Sequence, residues 1–111
     1  MRLPLFVLGL SFFLLFSACS NVDLIATDSK TIQEHLSSYK GEKAVLLNVW
    51  ATTCAPCVEE FPMIVSLGNE IKDLEVVFVS ADFDDQLGEV KSYLNEQKVT
   101  GVSFIKNEND Q

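Results

Sequence analysis

The apolar residues of this chain fall into short continuous runs and helically spaced sets, and the two kinds alternate. Ala44-Val45-Leu46-Leu47-Asn48-Val49-Trp50 is aliphatic or β-branched apart from Asn48 and its terminal indole, which predicts a buried strand. Val58, Phe61 and Val65, with Ile64, Leu67 and Ile71, recur at spacings of three, four and seven and mark one wide helical face. Pro62 falls inside that pattern, where its missing N–H and its ring kink or locally break a helix. Leu74 to Ser80 predicts a second buried strand, and Gln86 to Gln97 a second amphipathic helix with Leu87, Val90 and Leu94 inward. Val102-Ser103-Phe104-Ile105 begins another strand. Upstream, Thr31-Ile32-Gln33-Glu34 has the form of a capping box; Ile32, Leu36 and Tyr39 share a face, and Gly41 is the stop. Strands alternating with helices predict an α/β fold whose strands pair in parallel through a βαβ crossover.

The N-terminus has a different character. Arg2 precedes an almost unbroken apolar run from Leu3 to Ala18, too short for a comfortable transmembrane helix and laid out like a secretory signal. Ser17 and Ala18 are the small residues expected before a lipid-modified Cys19, although Phe16 stands where leucine is the norm. The expected organisation is a lipoprotein-type signal peptide over 1–18, a lipid-anchored tether over 19–28 and a folded domain over 29–111. An uncleaved N-terminal anchor is the rival, and either outcome tethers the domain to a membrane outside the cytoplasm.

Candidate chemistry sits where the first strand hands over to the long helix. Cys54-Ala55-Pro56-Cys57 puts two thiols three residues apart near a helix N-terminus. There the free N–H groups and the positive end of the dipole stabilise a thiolate, the reactive form of cysteine. The spacing lets the sulfurs reach bonding distance with little backbone movement, so Cys54 is the expected nucleophile and Cys57 the resolving thiol. A zinc site needs about four ligands, and beyond the pair the chain offers only His35 and Cys19. A structural disulfide closing so small a loop would stabilise little. Redox chemistry is the stronger expectation, with no cofactor beyond the cysteine pair and no metal. With Cys19 lipidated, no odd thiol remains; in an oxidising compartment the pair would be a disulfide, so a reductase would need an electron donor.

Eight basic against sixteen acidic residues give a net charge of −8, which disfavours binding to a phosphate backbone. Asp82-Phe83-Asp84-Asp85 is the densest acidic cluster; it lacks the spacing and glycine of a calcium loop and reads as a polar loop after a strand.

Residues 48–62, Asn-Val-Trp-Ala-Thr-Thr-Cys-Ala-Pro-Cys-Val-Glu-Glu-Phe-Pro, resemble the thioredoxin superfamily, and within it the membrane-tethered TlpA/ResA-type thiol-disulfide oxidoreductases of bacterial envelopes. Thr53 replaces that family's second tryptophan and Ala55 its usual glycine or glutamate. Weaker resemblance runs from Lys40 to Asp84. It implies a thioredoxin-like fold and a disulfide reductase acting on envelope protein thiols and disulfides, including those of apocytochrome c, supplied by an upstream membrane electron donor. It also implies that Glu60 lies beside the cysteines, tunes their titration and relays a proton. Asn48 stands where cytoplasmic thioredoxins carry a buried aspartate, so that route for a proton is absent. Trp50 supports the site by packing, and a proline such as Pro62 is common in the helix after it. The resemblance further implies a cis-proline segment, an antiparallel hairpin and a last helix; Pro4, Pro56 and Pro62 are the only prolines here. The expectation is therefore the N-terminal part of such a domain, from a truncated product or a fragment of a longer frame. The alternative function is a non-catalytic envelope lipoprotein or fragment that binds an extended partner through an exposed sheet edge.

Overall fold

A computed structural model describes residues 21–107. Four strands form one sheet: β1 (Asp23–Thr27), β2 (Ala44–Trp50), β3 (Leu74–Ser80) and β4 (Val102–Lys106). They lie in the order β1-β4-β3-β2, and every pairing is parallel. Helices α1 (Ser29–Ser37), α2 (Ala55–Glu70) and α3 (Leu87–Glu96) connect them, with a single 3-10 turn at Asp84–Gln86 ahead of α3. The expected thioredoxin-like α/β arrangement of parallel strands and intervening helices is met in this described part.

The two faces of the sheet carry separate cores, as a parallel sheet with helices on both sides requires. Trp50, Phe78 and Ile105 pack with Phe61 and Ile64 of α2 and with Val90 and Leu94 of α3. Val77, Val79 and Phe104 pack on the other face with Ile32 and Leu36 of α1. Neighbouring residues of β3 thus serve opposite cores, which is the period-2 alternation of a strand. Register brings the ends of β2 and β3 together, with Trp50 opposite Ser80.

Several sequence expectations change. The stretch read as a tether contains β1, paired residue for residue with β4 from Asp23 opposite Val102 to Thr27 opposite Lys106. Five residues with an exposed Ile25 carry little local strand signal; the pairing is decided some eighty residues away. Asp28, not Thr31, caps α1: its backbone is extended and its carboxylate accepts the Thr31 N–H at 2.8 Å. The two cap frames are offset by three residues, and the one adjoining the end of β1 is used. Gly41 follows α1 with φ of +79°, a left-handed conformation suited to glycine. Strand β2 is fully buried only at Trp50. Among the described residues it has a sheet neighbour on one side only, and Leu46, Leu47 and Val49 are exposed. Helix α2 continues through Pro62. Leu87 stays at the surface while Val90 and Leu94 are fully buried. His35 is half-buried with its ring edge-on to Phe104 at 5.1 Å. Residues 1–18 and Cys19 lie outside the described residues.

Candidate active site

The cysteine pair occupies the turn between β2 and α2. After Trp50 the chain makes one tight turn, closed by the Cys54 N–H donating to the Ala51 carbonyl at 3.1 Å. Cys54 is the N-cap of α2, with φ −88° and ψ 94°, and its carbonyl accepts the first helical bond from the Val58 N–H at 3.0 Å. Pro56 lies in the first turn, where an N–H has no intrahelical partner to lose. Cys57 completes that turn, and a disulfide joins it to Cys54 with the Cα atoms 5.3 Å apart. Both cysteines are half-buried. Cys57 packs against the core cluster that holds Trp50 and Phe61, while Cys54 sits at the cap position of the helix.

Trp50 anchors this turn from below. It is 2 % exposed, its ring meets Phe61 edge-on at 4.9 Å and Tyr93 at 5.0 Å, and Phe61 in turn stacks on Phe78 at 4.4 Å. Such contacts fix the floor under the disulfide by shape and burial. Burial, with a smaller contribution from Glu96, pushes the Tyr93 phenol above its ordinary value. Asn48 is half-buried in β2, opposite Phe78. Glu60 projects from the next turn of α2 into solvent and has no hydrogen bond or ion pair among the described residues. The fold therefore gathers Cys54, Cys57, Pro56 and Trp50 at one strand end and leaves Glu60 exposed on the helix beyond them.

Asp82 is the residue that local sequence reading missed. It follows β3, is only 6 % exposed, and its carboxylate accepts from the Thr52 hydroxyl at 2.7 Å, the Thr52 N–H at 3.0 and 3.2 Å, and the Ser80 hydroxyl at 2.6 Å. The Asp82 N–H donates back to the Ser80 hydroxyl at 3.0 Å, and the Ala81 N–H donates to the Trp50 carbonyl at 2.8 Å. Burial pushes the carboxyl upward, but the hydrogen bonds from Ser80 and Thr52 outweigh it and hold Asp82 below the usual carboxylate range. The available signal was topological: in a parallel α/β sheet, functional groups collect beyond the carboxyl ends of neighbouring strands. Asp82 stands there next to the cysteine turn, although its sequence neighbours read as an acidic loop.

With this geometry in place, three comparisons with known proteins bear on it. The family model described as Redoxin matches residues 9–108. Among curated proteins, the thiol-disulfide oxidoreductase ResA of Bacillus thuringiensis (strain Al Hakam) is 32 % identical over 74 residues, 67 % of this chain and 42 % of its own length. ResA of Oceanobacillus iheyensis is 37 % identical over 73 residues, 66 % of this chain and 36 % of its own. ResA of Bacillus subtilis (strain 168) is 34 % identical over 88 residues, 79 % of this chain and 46 % of its own. The chain thus spans less than half the length of each of these relatives. No solved structure matches it.

Proposed function

The chain belongs to the Redoxin family, of the thioredoxin superfamily, and from that premise we propose that it is a thiol-disulfide oxidoreductase of the bacterial envelope that reduces protein disulfides. The observation that carries this reading is the Cys54–Cys57 disulfide at the N-terminus of α2, with Cys54 as the helix cap and Cys57 packed on the core. In the dithiol form, Cys54 as thiolate attacks one sulfur of a substrate disulfide, forms a mixed disulfide and expels the other substrate sulfur as a thiolate. Cys57, losing its proton to solvent or a nearby base, attacks the Cys54 sulfur, closes the intramolecular disulfide and releases the second substrate thiolate. Two electrons pass from the pair to the substrate, and a dithiol donor restores the pair by the reverse exchange. The helix N-terminus stabilises the Cys54 thiolate in the first step and as leaving group in the reverse one.

The remaining roles belong to the same proposal. Glu60, one turn beyond Cys57, would receive or return the proton through water. The leader-like run before Cys19 supports an extracytoplasmic site of action with a lipid on Cys19 as anchor; among the described residues no helix is long and apolar enough to cross a membrane. Apocytochrome c is a fitting substrate class, since its cysteines must be reduced before haem attachment.

The test is reduction of a disulfide-linked protein, such as insulin, by the pre-reduced full chain in stoichiometric amounts. The proposal predicts loss of about one substrate disulfide per chain oxidised, with Cys54→Ala inactive. No reduction by a folded, fully reduced chain would overturn it. A second reading, a binding module for an extended partner segment, is favoured by the exposed apolar edge at Leu47 and Val49 of β2.

A further inference from the structure

A carboxylate as enclosed as Asp82 calls for a physical reason. Burying the ion is costly, and no cation is paired with it among the described residues, where the one salt bridge joins Lys43 to Glu75. What it gains is a set of donors: the Thr52 hydroxyl, the Thr52 N–H and the Ser80 hydroxyl. An ionised carboxylate is acceptor-only and has lone pairs for all three, which an asparagine amide does not. These bonds join the end of β3 to the second residue of the Ala51–Cys54 turn, whose last residue is the nucleophile.

We propose that Asp82 is a positioning residue of the redox pair: by clamping Thr52 it holds Cys54 in place beside Cys57 and so favours the disulfide over the dithiol. Its mechanistic meaning rests on the oxidoreductase reading above, while the geometry stands without it. The sign follows from what each redox form leaves free. In the disulfide form the covalent link already restrains Cys54. In the dithiol form only the turn and its clamp do, so releasing the clamp adds freedom chiefly to the dithiol. It thereby lowers the effective concentration of one sulfur at the other. A contact that merely stabilised the fold would act on both forms alike and cancel from their ratio.

The experiment equilibrates the full chain with mixtures of reduced and oxidised dithiothreitol and reads the disulfide fraction by acid quench, alkylation and mass. In that exchange the protein dithiol loses two electrons and two protons as the oxidant ring opens to the free dithiol. Asp82→Asn and Thr52→Val should each move the equilibrium toward the protein dithiol, by about fivefold for loss of charge-assisted bonds in one form. Thr52→Ser, which keeps the hydroxyl, should stay within about twofold of the parent, and the double variant should shift no further than Asp82→Asn alone. If Asp82→Asn does not fold, Thr52→Val against Thr52→Ser decides, since neither touches the carboxylate. Equal equilibria for the parent, Thr52→Val and Thr52→Ser would overturn the proposal, as would a melting-temperature loss of the same size in both redox forms. Failure of the oxidoreductase reading would look different: no insulin reduction by the parent, with its dithiothreitol equilibrium still intact.

Discussion

Asp82 and Glu60 are both carboxylates on segments that adjoin the cysteine pair, and burial separates their behaviour. Asp82 titrates below the ordinary range in the fold, so at pH values between the folded and unfolded pKa the unfolded chain binds more protons. Its stabilisation is therefore complete above the unfolded value of about 4 and is lost as pH falls through the folded one. Asp82→Asn should cost about 1–3 kcal/mol near neutral pH, and the deficit should shrink as acid protonates the parent. Urea melts of both chains from neutral to about pH 3 check this; a deficit that stays constant would contradict it. Glu60 lies in solvent, where water and salt weaken its field. Glu60→Gln should therefore lower the pKa of the reactive thiol by no more than a few tenths of a unit. Alkylation rate against pH measures the shift, and superimposable curves would make Glu60 an ordinary solvated residue. Cys54 and Cys57 could be found from the sequence because their chemistry is written in a local spacing. The Asp82 to Thr52 contact could not, because it joins positions thirty residues apart through strand order.

Among the elements, β2 and β3 were legible to the residue, since each is a continuous apolar run with clear boundaries, whereas α2 runs uninterrupted through a Pro62 that on its own predicts a kink or break. What an apolar run does not contain is the neighbour on each side. Ala44–Trp50 reads as a buried strand, yet Leu46, Leu47 and Val49 are 37 %, 43 % and 59 % exposed because β2 has β3 on one side alone among the described residues. Strand β1 went unread for the complementary reason: its partner β4 lies at the far end of the described chain. The exposed edge has a measurable consequence. Unpaired strand edges with apolar side chains template association, and a charge on the edge suppresses it. Val49→Lys should shift the full chain from associated species toward monomer in sedimentation velocity. Its effect on stability should stay within about 0.5 kcal/mol, as for other surface changes. An unchanged mass distribution would show that the edge does not mediate association.

For the molecule as a whole, the α/β class and the site were readable from alternation of elements and from one fifteen-residue motif. Strand order was not, since four parallel strands admit several arrangements that satisfy the same local patterns. The order β1-β4-β3-β2 places the ends of β2 and β3 side by side, with Trp50 opposite Ser80. It therefore brings the cysteine turn and Asp82 to one end of the sheet, the disulfide resting on the Trp50 and Phe61 core. The proposed chemistry depends on one asymmetry of this architecture: Cys54 caps the helix and would attack, while Cys57 lies against the core and would resolve. The most direct measurement is capture of a disulfide-bonded substrate by single-cysteine variants of the full chain, read as mixed-disulfide adduct by intact mass. Cys57→Ala should accumulate adduct through Cys54 at least about tenfold faster than Cys54→Ala does through Cys57, because thiolate fraction and access both favour the capping thiol over the core-packed one. Equal rates, or faster capture through Cys57, would contradict the account.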